Sequence, residues 1–232
     1  MKKHRTASWI LLGLSLAPLL IAFVAVRFLP DQIPLHYNAA GVIDAWGSKY
    51  NEYLLAGIFA FSGLVFWFIA LVGDKLADTE AERARAIANA RVAVKIGIVV
   101  QAMMCALQVV ILYGAWRDAS MAASVSVLPI WKIVGIGCGI LYILIGNEMP
   151  KTKPNNLMGV RTVWSCSSPE VWAKSQRAGG ISFVVAGVLC IVFSLLLHGF
   201  VLFWIVMACT VIAAAVACAL SFKAAHALSE KE

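Results

Sequence analysis

Six stretches of this chain are apolar for long enough to cross the hydrocarbon core of a bilayer, which takes about 20 residues as a helix. They run Ser8–Phe28, Leu54–Val72, Val92–Trp116, Ile130–Gly146, Ile181–Leu197 and Phe200–Phe222. Only His198 and Gly199 separate the fifth from the sixth, which predicts a tight antiparallel helical hairpin. The polar segments are unequal. Two are long, Leu29 to Tyr53 and Asn147 to Gly180. A third, Asp74 to Arg91, contains ADTEAERARAIANAR and sets Glu and Arg a helical turn apart, which predicts a solvated extension of the third helix. The pattern predicts an all-α integral membrane protein. Its six-helix transmembrane bundle carries one ordered extracellular loop and one ordered cytoplasmic loop with a short interfacial helix.

Charge sets the orientation of that bundle. Of the 19 Lys and Arg residues, fifteen fall on one side of the alternating spans and four (Arg27, Lys49, Arg117 and Lys132) on the other. Basic loops stay in the cytoplasm, so both termini are expected inside and residues 29–53 outside. The net charge of +7 therefore reads as topology, because no soluble basic domain is left to bind nucleic acid. With 62% hydrophobic and 13% charged residues, the chain lacks the polar surface of a soluble domain, where about 25% are charged. The stretch after Met1 to Arg5 is too long for a cleaved signal and reads as an uncleaved signal anchor.

The spans hold few polar groups. Lys95 and Lys132 lie near span ends, where they can snorkel. Gln101 and Gln108 are expected to join helices by hydrogen bonds, and Pro18 to kink the first helix. Gly135 and Gly139, with Gly137 between them, are spaced for close helix approach within the bundle. Five of six cysteines lie in apolar runs and Cys166 lies in a polar loop. No C-x-x-C pair or Cys/His cluster has metal-ligand spacing, so no metal, cofactor or disulfide framework is expected.

The outer loop is stiff by composition. Pro30 and Pro34 fix φ, and Gly41 and Gly47 permit turns. It presents His36, Tyr37, Asn38, Asp44 and Trp46 as candidate ligand-binding groups. His36 with Asp44 is also the pair a membrane enzyme would use, although no nucleophile lies near it in sequence. In the inner loop Ser168-Pro169-Glu170 is a strong helix start. A short helix to about Arg177 is expected to set Val171 and Trp172 toward lipid and Lys174 and Arg177 toward headgroups. Gly179-Gly180 would then turn the chain into the fifth span. Gly159-Val160-Arg161-Thr162 beside Asn155 reads as a defined turn holding a fixed guanidinium.

The inner loop resembles the signature of the SdpI family of bacterial membrane proteins. The matching residues are Gly146-Asn147, Pro154-Asn155, Gly159, Arg161-Thr162, Trp164, Val171-Trp172, Arg177 and Gly179-Gly180. The outer loop, through Leu29-Pro30, Ile33-Pro34, His36, Asn38, Gly41, Asp44 and Trp46-Gly47, is similar to an uncharacterised module that often precedes that signature. Cys166 and Gln176 depart from the pattern. The resemblance divides the chain into residues 1–75, the outer-loop module, and 76–232, an SdpI-like four-helix region. It implies a non-enzymatic membrane protein giving immunity to an extracellular antimicrobial peptide toxin, with signalling through a cytoplasmic repressor. A small-molecule or lipid permease is the alternative. The bilayer is a further partner, and the oligomeric state stays open.

Overall fold

Inside hydrocarbon a chain must satisfy its own backbone, so each apolar run closes its hydrogen bonds as a helix. The computed structural model describes residues 2–72, 75, 78–126, 128–155 and 158–229. The module boundary after residue 75 abuts residues outside this set, and Lys231 lies outside it. Six helices follow in order: α1 Lys2–Ala25, α2 Glu52–Val72, α3 Glu80–Ser120, α4 Ile130–Glu148, α5 Pro169–Leu196 and α6 Val201–Ser229. All six are long and apolar enough to cross a membrane. The α5–α6 turn is as tight as expected, with Gly199 at φ +76°. The α3 extension starts at a capping box. Thr79 Oγ1 accepts from the Glu82 amide at 3.2 Å, and the Glu82 carboxylate accepts from the Thr79 amide at 3.2 Å.

The helices pack in two groups. α1, α2 and α3 all touch one another, while α5 packs between α4 and α6, and α3 meets α4 only lightly. Polar side chains join the first group. Gln101 donates to Phe59 O at 2.9 Å, and Gln108 donates to Pro18 O at 3.1 Å. Pro18 has no N–H, so the Leu14 carbonyl one turn earlier loses its helical donor. The Cys105 thiol of α3 points at that carbonyl, 3.7 Å away.

Glycine brings α4 and α5 together. A Cβ on Gly139 would stand 2.6 Å from Gly187 O, and one on Gly187 would stand 2.5 Å from Gly139 O. Gly146 and Gly180 repeat the reciprocal contact one heptad along, at 2.6 and 2.5 Å. Gly135 meets Ser194. The expected intramolecular use of Gly135 and Gly139 is what the fold shows.

There is no separate interfacial helix, and Gly179-Gly180 makes no turn, because α5 runs unbroken from Pro169 to Leu196. Two adjacent glycines weaken a helix by about 1 kcal/mol each, yet missing Cβ atoms are what α4 contact requires at Gly180. Val171 and Trp172 are each 2% exposed, packed under the inner loop rather than facing lipid. The outer loop likewise acquires regular structure: strands β1 Gln32–Tyr37 and β2 Ile43–Ser48 pair antiparallel.

These contacts set a testable contrast. Gly139→Val should destabilise the detergent-solubilised protein by about 1–3 kcal/mol or more, because the neighbour is backbone that cannot rotate away. Gly57→Val, with nothing within 4 Å of its Cβ position, should stay within about 0.5 kcal/mol of the parent. Equal thermal midpoints for the two variants would remove the glycine contact from the account of α4–α5 packing.

Candidate functional site: the hairpin and the stapled loop

The chain direction puts β1–β2 at one end of the bundle and residues 149–168 at the other. At the hairpin end, Asn38 builds the turn. Its Oδ1 accepts from the amides of Ala40 (2.9 Å) and Val42 (3.1 Å), and Gly41 takes φ +79°. Pro30 lies half-buried at the entry, and Pro34 pairs opposite Trp46. Residues 124–126 add a third edge, with the Ile43 amide on Ser124 O at 2.9 Å and the Ser126 amide on Gly41 O at 2.8 Å. Ile33 and Leu29 seat the hairpin on Leu112 and Ala115 of α3.

Two polar features distinguish this end. His36 Nδ1 and Asp44 Oδ1 lie 2.5 Å apart, an ion pair when the imidazole is protonated, with side chains 66% and 43% exposed. Tyr37 is not a free aromatic anchor. Its hydroxyl donates to Asp118 Oδ2 at 2.9 Å, and Asp118 is fully buried at the end of α3. Burial, and then the Asp118 bond, push the Tyr37 phenol above its ordinary pKa. Glu52, also buried, carries an Oε2 with no hydrogen-bond partner among the described residues. Neither acid was singled out in the sequence, because each stands near a span end where a charge is ordinary. Trp46 is exposed, as are Leu35 and Val42.

At the other end the loop is stapled to three helices. Asn89 of α3 holds Lys153 through both backbone groups, donating to its carbonyl at 3.2 Å and accepting from its amide at 2.8 Å. Trp172 of α5 donates from Nε1 to Thr152 O at 3.1 Å. Gln176, one turn on, grips Val160 the same way, accepting from its amide at 2.9 Å and donating to its carbonyl at 2.8 Å. From α6, Ser221 shares a hydrogen bond with Thr162 at 2.8 Å and with Ser175 at 3.0 Å. Asn155 closes its own turn, taking the Met158 amide at 2.7 Å. Gly159 has φ +98° and lies against the Gln176 amide, so neither its conformation nor its space admits a side chain.

The signature residues thus divide. Asn155, Gly159, Thr162 and Trp172 build the loop from within. Trp164 stacks edge-on to Phe222 at 5.0 Å while staying 42% exposed. Asn147, Arg161 and Arg177 are exposed. The turn at 159–162 is as expected, but it does not fix the guanidinium: Arg161 makes no hydrogen bond or ion pair among the described residues. Gln176, which departs from the family pattern, is the clamp. The spacing Thr162-x-x-Ser165 was an available signal, for Ser165 closes that turn at 2.8 Å.

Fold and ends together define a polytopic helical membrane protein, with a docked β-hairpin at one end and a side-chain-stapled loop at the other. Its residues 151–221 match the model of the SdpI/YfhL protein family, and residues 13–61 match a domain of unknown function, DUF1648. The resemblance carried by the two loops is therefore shown, and the chain contains both regions in that order. A curated relative, immunity protein SdpI of Bacillus subtilis (strain 168), is 37% identical over 62 residues, 27% of this chain and 30% of that protein. The match thus spans less than a third of the length of that relative. No solved structure matches the chain.

The clamps can be tested one by one. Gln176→Leu keeps the bulk but leaves the Val160 amide and carbonyl without partners, a loss of about 1–3 kcal/mol. Amide exchange at 159–165 should accelerate while exchange in α1 and α2 holds. Tyr37→Phe should do the same to residues 32–48 alone. Parent-like exchange at 159–165 in Gln176→Leu would show that the loop is held by something else.

Proposed function

We propose that this protein is a membrane immunity protein that protects the bilayer holding it against an extracellular antimicrobial peptide. In this reading residues 1–75 form a hairpin-bearing module and 76–232 the SdpI-like region. Both termini are cytoplasmic, and the membrane is the bacterial cell membrane. The observation that carries the reading is a coincidence of position. The SdpI/YfhL match, 151–221, contains every bond that staples the loop except the pair from Asn89, and its last residue is Ser221. The matched range thus covers the loop, the whole of α5 and most of α6. The relative that is 37% identical over 62 residues bears the name immunity protein.

The hairpin supports an outward recognition role. It is docked through Ile33 and Tyr37, so it loses little freedom on binding, and it leaves Leu35, Val42 and Trp46 exposed. The exposed face of the loop, with Val163 89% exposed beside Trp164, would contact a cytoplasmic partner, the repressor role implied by the family resemblance.

Expression in toxin-susceptible cells tests this directly. The parent chain should raise survival under toxin, and Trp46→Ala should lower resistance several-fold at unchanged protein level, since aromatic anchors commonly dominate binding. Absence of protection by a parent chain present at normal abundance would sink the immunity reading. In the same cells, Ala39→Cys should react with an impermeant thiol reagent from outside, and Cys166 only after permeabilisation. The reverse pattern would invert the topology.

A further inference from the structure

The light contact between α3 and α4 leaves the two helix groups parted toward the loop end. The gap is a cavity of about 450 Å3 walled by Phe66 of α2, Ile96 of α3, Ile145 of α4, Phe183 of α5 and Ala214 of α6. Ile96 and Ile145 also line a second cavity of about 390 Å3, where Lys95 stands 3.7 Å from Glu148. Residues Gly159 to Arg161 form one edge. An apolar space of this size suits a small-molecule ligand, since such sites span about 300–1,000 Å3. Its walls offer almost nothing to a polar solute.

Its edge offers an unpaired cation. The exposed Arg161 guanidinium has no partner among the described residues, while the loop beneath it is clamped by Gln176. Arg117, at the hairpin end, makes the contrast. It adjoins another apolar groove, but its guanidinium donates to Tyr113 Oη at 3.2 Å and to Met121 Sδ at 3.6 Å. A free guanidinium on a fixed turn, at the mouth of an apolar cleft between membrane helices, is complementary to an anionic headgroup with a hydrocarbon tail. Basic pockets between helices bind anionic lipids for this reason, and guanidinium pairs with phosphate bidentately.

We propose that the cleft holds one acyl chain of an anionic phospholipid, with its phosphate on Arg161. The lipid fills the gap where the protein's own packing is thinnest and ties α2 and α3 to α5 and α6. It is thereby a structural ligand of the full bundle, separate from any peptide met by the hairpin.

The experiment uses the full chain purified in detergent, titrated with phosphatidylglycerol or phosphatidylcholine at equal mole fraction. Thermal midpoint and photocrosslinking by a phosphatidylglycerol with an acyl-chain diazirine are read together. The parent should be stabilised more by phosphatidylglycerol, with crosslinks in peptides containing Phe183 and Met158. Arg161→Gln should weaken phosphatidylglycerol binding at least tenfold while keeping the parent midpoint in phosphatidylcholine. Ala214→Trp, which fills the cleft, should remove the crosslinks, and its midpoint in phosphatidylcholine shows whether it folds. Two further arms separate the sources of the chemistry. Inorganic phosphate or palmitate alone, if either reproduced the full stabilisation, would overturn the phospholipid assignment. So would an undiminished phosphatidylglycerol effect in Arg161→Gln, or crosslinks confined to other grooves.

Discussion

A backbone carbonyl in hydrocarbon has no water to turn to, and here side chains of α3 reach carbonyls of α1 and α2. Pro18 frees the Leu14 carbonyl, and Cys105 of α3 faces it. Gln108 reaches the Pro18 carbonyl itself, and Gln101 reaches that of Phe59 in α2. These bonds do more than satisfy atoms. Each can form only when α3 lies at one depth and one rotation against α1 and α2, so they set the register that apolar packing alone leaves free. The second group reaches the same end by another route. Gly139–Gly187 and Gly146–Gly180 admit one alignment of α4 on α5, since a slip by one residue would drive a Cβ into a carbonyl.

The same requirement shapes the ends. Past α4 and the short 3-10 turn Met149–Lys151 the α-helical ladder ends, and backbone groups of Lys153, Thr152 and Val160 are taken up by Asn89, Trp172 and Gln176, side chains of α3 and α5. Asparagine and glutamine suit the task because one amide offers a donor and an acceptor together, matching the paired groups of a single residue. The hairpin uses its own ladder and borrows residues 124–126 for its outer edge. Both ends are therefore built surfaces with fixed backbones, which is what recognition by either of them would need.

Much of this was legible in the sequence because hydrophobic length, and polar or small residues within an apolar run, are strong signals. The six spans, the α5–α6 turn and the roles of Gln101, Gln108 and Gly139 follow from them. The short helix after Ser168 was misread for a definite reason. Gly179-Gly180 carries the local signature of a breaker, and only the presence of Gly146 across the interface turns those glycines into a contact. Trp172 resembles an interfacial tryptophan until Thr152 is seen above it. Alternation over β1 is short and interrupted by Pro34, so periodicity could not announce a strand. Asp118 and Glu52 stayed hidden because burial under a hairpin is a tertiary fact. Gln176 differs from these: its departure from the family pattern marked the position, and the structure supplied the meaning.

One element reaches both ends of the bundle. α3 meets the hairpin through Asp118 and the loop through Asn89, and at about 1.5 Å per residue those positions lie roughly 44 Å apart along one helix. Between them come Gln108, Gln101 and Ile96, which contact α1, α2 and the cleft in turn. The hairpin is thus joined to the loop through a single rod, while the route through α4–α6 crosses the thin α3–α4 contact. A ligand that changed the seating of the hairpin would act on Asp118, at one end of the only helix that also grips the loop among the described residues. By linkage the effect would run both ways: whatever the loop binds would alter the hairpin's affinity by the same factor. A filled cleft and an empty one differ in how firmly α3 is tied to α5 and α6, so lipid occupancy would set how far such a displacement carries beyond the first three helices.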